Sequence, residues 1–317
     1  MKILVTDKSA DEALQVFKDA GHEVTYDEMD HDALLKEIPN YDALMVRSRT
    51  KATTEIVQAG AKGNLKVIGR AGIGVDNIDI ETAGKLGIKV VNSPTGSTKS
   101  VAELAVAHML SLARFVPKAD TTMKKGEWIK KQLKGTELNG KTLGLIGSGY
   151  IAQHVAIIAN CLGMKVIVYS PHCTDEKASK MGANRKDLDN LLKQSDFISL
   201  HIPHTKDSHY LLNEKTIGLM KNGAYLVNVA RGGVVDEEAL FKALKDGKLS
   251  GAAVDVFEQE PPSKDNKLLK LDNVILSPHL GASTKEAQIQ AGTICAEQML
   301  KVLDGEEPEF WVNKKFM

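Results

Sequence analysis

The chain has 317 residues, 43% hydrophobic and 26% charged, with a net charge of zero. That length admits two domains of ordinary size, and the charge balance gives no bulk reason to bind nucleic acid or an anionic membrane. No run approaches the roughly 18 apolar residues of a membrane span, no signal-peptide apolar region precedes the first strand, and three cysteines without metal or redox spacing suit reduced thiols, so a cytoplasmic protein is expected.

Residues 1–92 alternate strand patterns (2–6, 23–26, 43–47, 66–69, 89–92) with helical ones at about 10–20, 32–37, 53–60 and 78–86. Such alternation predicts a parallel sheet covered on both faces. Residues 97–115 read as one long apolar helix, better suited to connecting domains than to a crossover. Residues 117–140 are polar and basic, with Trp128 conspicuous.

The next stretch organises the rest. Residues 141–146 make a short buried strand, and Gly147-Ser-Gly149-Tyr150-Ile151-Ala152 follows at once, matching G-x-G-x-x-G/A. Gly147 permits the tight turn, Gly149 lets backbone approach a pyrophosphate, and Ala152 packs helix against strand. The helix stops at Gly163 and a strand returns over 164–169. Strand, turn and helix in that order are the context that makes the pattern a dinucleotide site. An acidic residue usually ends the returning strand to hold the ribose 2′-OH. Here Ser170 stands instead, which does not repel a 2′-phosphate, so NAD is expected with NADP also open. Ser170 also reads as the start of a Ser-Pro turn.

Later strand patterns fall at 197–201, 225–229, 252–256 and 274–276, and Ser283-Thr-Lys-Glu286 has capping-box spacing before a helix to about residue 303. The expected architecture is α/β, with two doubly wound parallel-sheet domains and a ligand cleft between them. The last helix is expected to return to the first domain, giving a discontinuous 1–97 plus 284–317 substrate domain and a nucleotide-binding domain at 98–283.

Three loops after strands of the second domain carry chemistry: Asn228-Val-Ala-Arg231, Asp255-Val-Phe-Glu-Gln-Glu260 and Ser277-Pro-His279. Taken singly, each is more often a solvated or structural residue. Together they are what carbonyl reduction by hydride requires. His279 can donate the proton near neutral pH. Glu260 can fix its tautomer and favour the imidazolium, and Arg231 can grip a substrate carboxylate through paired hydrogen bonds.

With these loops, the stretches Val46-Arg-Ser-Arg-Thr50, Gly69-Arg-Ala-Gly-Ile-Gly-Val-Asp-Asn-Ile-Asp79, Asn92-Ser-Pro-Thr-Gly96 and Pro278-His-Leu-Gly-Ala-Ser-Thr-Lys-Glu-Ala287 make the chain resemble the D-isomer-specific 2-hydroxyacid dehydrogenase family over residues 1–310. The resemblance implies that Arg231, Glu260 and His279 are catalytic and that Asp255 binds the nicotinamide carboxamide. It implies further cofactor contacts at Ile73, Gly147, Gly149, Tyr150, Ile151, Ser170, His201, Ile202, Pro203, Val229, Ala230, Gly281 and Ala282. Substrate is expected at Arg47, Ser48, Arg49, Arg70, Gly72, Gly74 and Asn92. The implied reaction is NAD(P)-dependent oxidation of 3-phosphoglycerate to 3-phosphohydroxypyruvate, which feeds serine synthesis, by a homodimer. The arginines at 47 and 49 favour this phosphorylated acid over glyoxylate, hydroxypyruvate or D-lactate as alternatives. A cofactor-sensing scaffold is the remaining reading, since the fold also occurs in a transcriptional corepressor. The chain departs from the family at Tyr150, Ala152 and Ser170, where Arg or Lys, Gly and Asp are usual. Many members also carry C-terminal regulatory domains; with the sequence ending at Met317, feedback through such a domain is not expected.

Overall fold

The computed structural model describes residues 1–317, which divide into two compact units, Met1–Thr98 with Ala282–Met317, and Lys99–Gly281. In the first, strands β1 (Lys2–Val5), β2 (Glu23–Tyr26), β3 (Ala43–Val46), β4 (Val67–Arg70) and β5 (Lys89–Asn92) form one parallel sheet in the order β2-β1-β3-β4-β5. Alternate residues serve opposite faces, as strand geometry requires. Ile3, Val5, Ala43, Met45 and Val67 pack with helices Asp11–Asp19 and Lys285–Leu303. Leu4, Leu44, Val46, Ile68 and Val90 pack with the helices of the other face. Both faces are dry, which explains why these strands read as apolar runs.

In the second unit, β6 (Thr142–Ile146), β7 (Lys165–Tyr169), β8 (Asn184–Arg185), β9 (Phe197–Leu200), β10 (Ala224–Asn228), β11 (Leu249–Val254) and β12 (Val274–Leu276) are also all parallel. Their order, β12-β11-β10-β9-β6-β7-β8, is the doubly wound arrangement whose order reverses between β6 and β9. Helices Thr98–Arg114 and Tyr150–Cys161 cover one face, around Leu143, Leu145, Val168, Val227 and Ala253. No helix is long and apolar enough to cross a membrane.

Two local expectations need correction, and one stretch with no expected element forms a helix. The last helix is capped by Thr284, whose hydroxyl accepts from Ala287 N–H at 3.1 Å, so Ser283 is not the cap and Glu286 falls one position short of a capping box. The polar stretch after residue 115 contains a helix, Val116–Lys124, set off from its predecessor by Phe115 in a left-handed conformation (φ 55°). Strand β11 begins at Leu249, three residues before the expected start, because its pairing with β10 continues across a register shift, with Gly251 opposite Tyr225 and Leu249 opposite Ala224.

Candidate active site

Strand register alone gathers the functional loops of the second unit. Tyr169, Ile146, Leu200, Asn228, Val254 and Leu276 form one row across β7, β6, β9, β10, β11 and β12. The next residue on each strand begins a loop at the carboxyl edge: Ser170, Gly147, His201, Val229, Asp255 and Ser277. Ligands of open parallel sheets bind beyond this edge, at the point where strand order reverses.

Gly147 and His201 meet at that point. Gly147 has φ +116°, and a Cβ there would lie 2.3 Å from the His201 carbonyl oxygen, so only glycine fits. Gly149 caps helix Tyr150–Cys161 with no side-chain hydrogen bond to the first turn. A Cβ on Gly149 would meet nothing within 4 Å. The result is an open approach to uncapped N–H groups at a helix N-terminus, which fits a pyrophosphate. Tyr150 is exposed and Ile151 half-buried beside it, and Ala152 is fully buried against the sheet. The Ser170 carbonyl accepts from Cys173 N–H at 3.1 Å, closing the expected turn. The His201 ring faces inward: Nε2 lies 2.9 Å from Ser199 Oγ, and Nδ1 is buried without a partner. Burial pulls its pKa down to about 3, so the ring is neutral. Ile202 is half-buried and Pro203 exposed; the Pro203 carbonyl accepts from Ser208 Oγ at 2.7 Å.

After β10, Asn228 shapes the arginine loop from below. Its Oδ1 accepts from Ala230 N–H at 3.1 Å and its Nδ2 donates to the Arg231 carbonyl at 3.0 Å. Arg231 Nη1 donates to the Ala230 carbonyl at 2.7 Å. The backbone then presses against the glutamate loop so closely that a Cβ on Gly232 would lie 2.0 Å from Phe257. In that second loop Glu260 Oε1 accepts from Phe257 N–H at 3.1 Å, and Oε2 lies 2.8 Å from His279 Nδ1. Partial burial works against a charged Glu260. The His279 hydrogen bond and charge, Phe257 N–H and the Arg231 guanidinium outweigh it and hold the carboxyl below its ordinary value. His279 stays solvent-accessible, its side chain 49% exposed.

The expected nicotinamide contact, Asp255, is buried, and its oxygens are engaged within the histidine loop. Oδ1 accepts from Ser277 Oγ at 2.6 Å and Leu280 N–H at 2.8 Å, and Oδ2 accepts from Gly281 N–H at 3.0 Å. Two groups that sequence reasoning missed extend this set: His108 Nε2 lies 3.2 Å from Ser277 Oγ, and Ser100 Oγ donates to the Gly281 carbonyl at 2.7 Å. Nothing in the apolar helix pattern around His108 marked it.

The first unit has its own register row, Val46–Arg70–Asn92 across β3, β4 and β5. Arg47 follows Val46 directly, so Arg47, Arg70 and Asn92 share one edge. The guanidinium of Arg70 lies over Gly72, where a Cβ would be 1.5 Å from Nη1. Asn92 Nδ2 donates to the Ile73 carbonyl at 2.6 Å, fixing the Gly72-Ile73-Gly74 turn, and Ala282, half-buried, begins this unit's C-terminal segment. The 47–50 loop is clasped by residues the sequence did not single out. The buried Asp7 carboxylate accepts from Arg47 N–H at 2.6 Å and Thr50 Oγ1 at 2.5 Å. Asn77 Nδ2 donates to the Arg47 and Thr50 carbonyls at 2.8 and 2.6 Å. Arg47 reaches the Lys8 carbonyl at 2.9 Å, Arg49 the Thr6 carbonyl, and Ser48 is exposed between them.

An all-parallel sheet with an uncapped glycine turn at its order reversal defines a dinucleotide-binding protein of the Rossmann class. Residues 106–281 match the D-isomer specific 2-hydroxyacid dehydrogenase, NAD binding domain. A D-3-phosphoglycerate dehydrogenase of Methanocaldococcus jannaschii is 50% identical over 99% of this chain, which spans 59% of that relative's length. A hydroxypyruvate reductase of Thermotoga maritima is 48% identical over 95% of this chain and 98% of its own. The crystal structure of a Thermus thermophilus protein superposes with a TM-score of 0.88 at 34% identity, covering 98% of this chain and 100% of that one. The chain belongs to the D-isomer specific 2-hydroxyacid dehydrogenase family. Its second unit is the NAD(P)-binding domain of that family.

Ser170 tests which cofactor is taken. NADPH is expected to be used measurably beside NADH. Ser170→Asp is expected to suppress NADPH use roughly tenfold while sparing NADH, because a carboxylate there repels the 2′-phosphate. Steady-state rates with both cofactors check this. Absence of NADPH activity in the unchanged protein would show that another residue excludes the phosphate.

Proposed function

We propose that the protein catalyses reversible NAD(P)-dependent hydride transfer at C2 of a small 2-hydroxy acid, with 3-phosphoglycerate and 3-phosphohydroxypyruvate as its substrate pair. The observation that carries this reading is the 2.8 Å His279–Glu260 pair on the same sheet edge as the glycine turn. The nicotinamide, when bound, supplies or accepts the hydride. The protein's own residues handle charge and protons. Glu260 takes the His279 Nδ1 proton as a hydrogen bond, which leaves Nε2 as the atom that exchanges a proton with the substrate oxygen. In reduction, Nε2–H is given to the oxygen as negative charge develops there; in oxidation, Nε2 takes the hydroxyl proton. Arg231 donates to the substrate carboxylate and orients C2.

Arg47, with Ser48, Arg49 and Arg70, is assigned the phosphate. Arg47 already gives one guanidinium hydrogen bond to a neutral carbonyl, a partner that a doubly charged phosphate outcompetes. The relative from M. jannaschii supports the phosphorylated substrate. The T. maritima relative, matched over nearly its full length, supports the alternative of an unphosphorylated oxo acid.

A substrate panel followed by nicotinamide absorbance separates the two, with Arg47→Ala as its control. Asp7 and Asn77 hold the loop through backbone groups, so truncating the Arg47 side chain leaves the loop in place. The variant is expected to raise KM for 3-phosphohydroxypyruvate about ten- to hundredfold, the worth of one charge-assisted contact of roughly 1.5–3 kcal/mol. KM for hydroxypyruvate is expected to change little. Equal losses on both would overturn the phosphate assignment.

A further inference from the structure

The segment carrying His279 is held from beneath by a buried polar chain. Ser277 Oγ gives its proton to Asp255 Oδ1 at 2.6 Å, so its lone pairs face His108 and accept from Nε2–H at 3.2 Å. Burial lowers the His108 pKa, against the raising effect of the Asp255 charge, and the neutral ring donates through this one nitrogen. Asp255 also accepts from the backbone N–H groups of Leu280 and Gly281. The helix Thr98–Arg114 also holds the far end, through Ser100 Oγ and the Gly281 carbonyl. His108 and Ser100 stand about 12 Å apart along the helix axis. One rigid helix therefore grips both ends of a five-residue segment.

His279 lies at the centre of that segment with φ +53°. Residues other than glycine keep such a conformation only where the surroundings impose it. Its N–H is tied to the Asp255 carbonyl at 2.8 Å, so Asp255 fixes the segment through both its main chain and its carboxylate. We propose that His108, acting through Ser277 and Asp255, is a positioning residue that sets the His279 imidazole against Glu260. The consequence for turnover rests on the function proposed above; the geometric claim does not.

The test uses Ser277→Ala and His108→Leu, which cut the chain, and Ser277→Thr and His108→Gln, which keep a hydroxyl and an N–H donor. In the unchanged protein, ¹⁵N shifts of the neutral His279 ring are expected to report the Nδ1–H tautomer alone, as its contact with Glu260 requires. Both cutting variants are expected to show mixed tautomers, with faster amide exchange at Leu280 and Gly281. Reduction of 3-phosphohydroxypyruvate is expected to lose about tenfold in kcat, with KM and NADH affinity within about twofold. The conservative variants are expected to restore tautomer and rate together, and because they keep the buried hydrogen bonds they remain informative if a cutting variant fails to fold. An unmixed His279 tautomer in both cutting variants, or losses confined to NADH affinity, would overturn the proposal. Absence of reductase activity in the unchanged protein would count against the proposed reaction, while the tautomer measurement would still decide the role of His108.

Discussion

His279→Ala is expected to lower turnover by about 10²- to 10⁴-fold, the usual contribution of a positioned proton donor, with NADH affinity unchanged within about twofold. The side chain is exposed and its one polar contact is to Glu260, so the substitution removes chemistry rather than core packing. Stopped-flow reduction and NADH fluorescence titration separate the two effects. Glu260→Gln is expected to act by a different route. The Glu260 carboxyl is held below its ordinary value of 4.5, so its charged contacts add stability that is complete above that unfolded value and lost as pH falls through the lower folded one. The glutamine variant should lose this acid dependence and should no longer fix the His279 tautomer through the Nδ1 contact, which lowers turnover. Turnover unchanged in the variant would show that the carboxylate does not orient the histidine. Turnover of His279→Ala within a factor of a few of the unchanged protein would remove histidine from the mechanism.

Arg231→Leu is expected to be of similar size. Two charge-assisted N–H···O bonds to a substrate carboxylate, each worth roughly 1.5–3 kcal/mol, correspond to about a 10²- to 10⁴-fold loss in kcat/KM. The backbone of the loop is held by Asn228 and by the tight approach of Gly232 to Phe257, so the change is confined to the guanidinium. Arg231→Lys should recover only part of the loss, because an ammonium is a point charge and cannot repeat the planar two-pronged geometry. Steady-state kinetics with the reduced cofactor in excess give the ratio. Full recovery by lysine would show that charge alone, and not paired hydrogen bonding, is what the site requires.

The legible parts of the fold were those dictated by short-range pattern. Apolar strands and the Gly147–Ala152 turn announce a buried parallel sheet and its nucleotide edge, and register then brings the arginine, glutamate and histidine loops to that edge. The unread parts depend on partners distant in sequence. Asp7 and Thr50 are 43 residues apart, and His108 and Ser277 are 169 apart. A buried aspartate or histidine looks like any other until the fold supplies its partners. The shift of the last cap from Ser283 to Thr284 has a simpler cause. Both residues are good N-caps, and sequence cannot tell which of two adjacent hydroxyls meets the free N–H. At 116–124 the polar, basic composition signals no element, and the helix found there carries Pro117 in its first turn, where proline is tolerated.

Isotope transfer shows whether the protein moves hydride from the nicotinamide to C2 of the acid. The protein is mixed in a single turnover with NADH deuterated at C4 of the nicotinamide, on the transferred face, and with 3-phosphohydroxypyruvate. The expected product is a D-configured 2-hydroxy acid carrying one deuterium at C2, formed as nicotinamide absorbance falls. NADH that binds without being oxidised, or a product with no deuterium at C2, would contradict hydride transfer to that carbon.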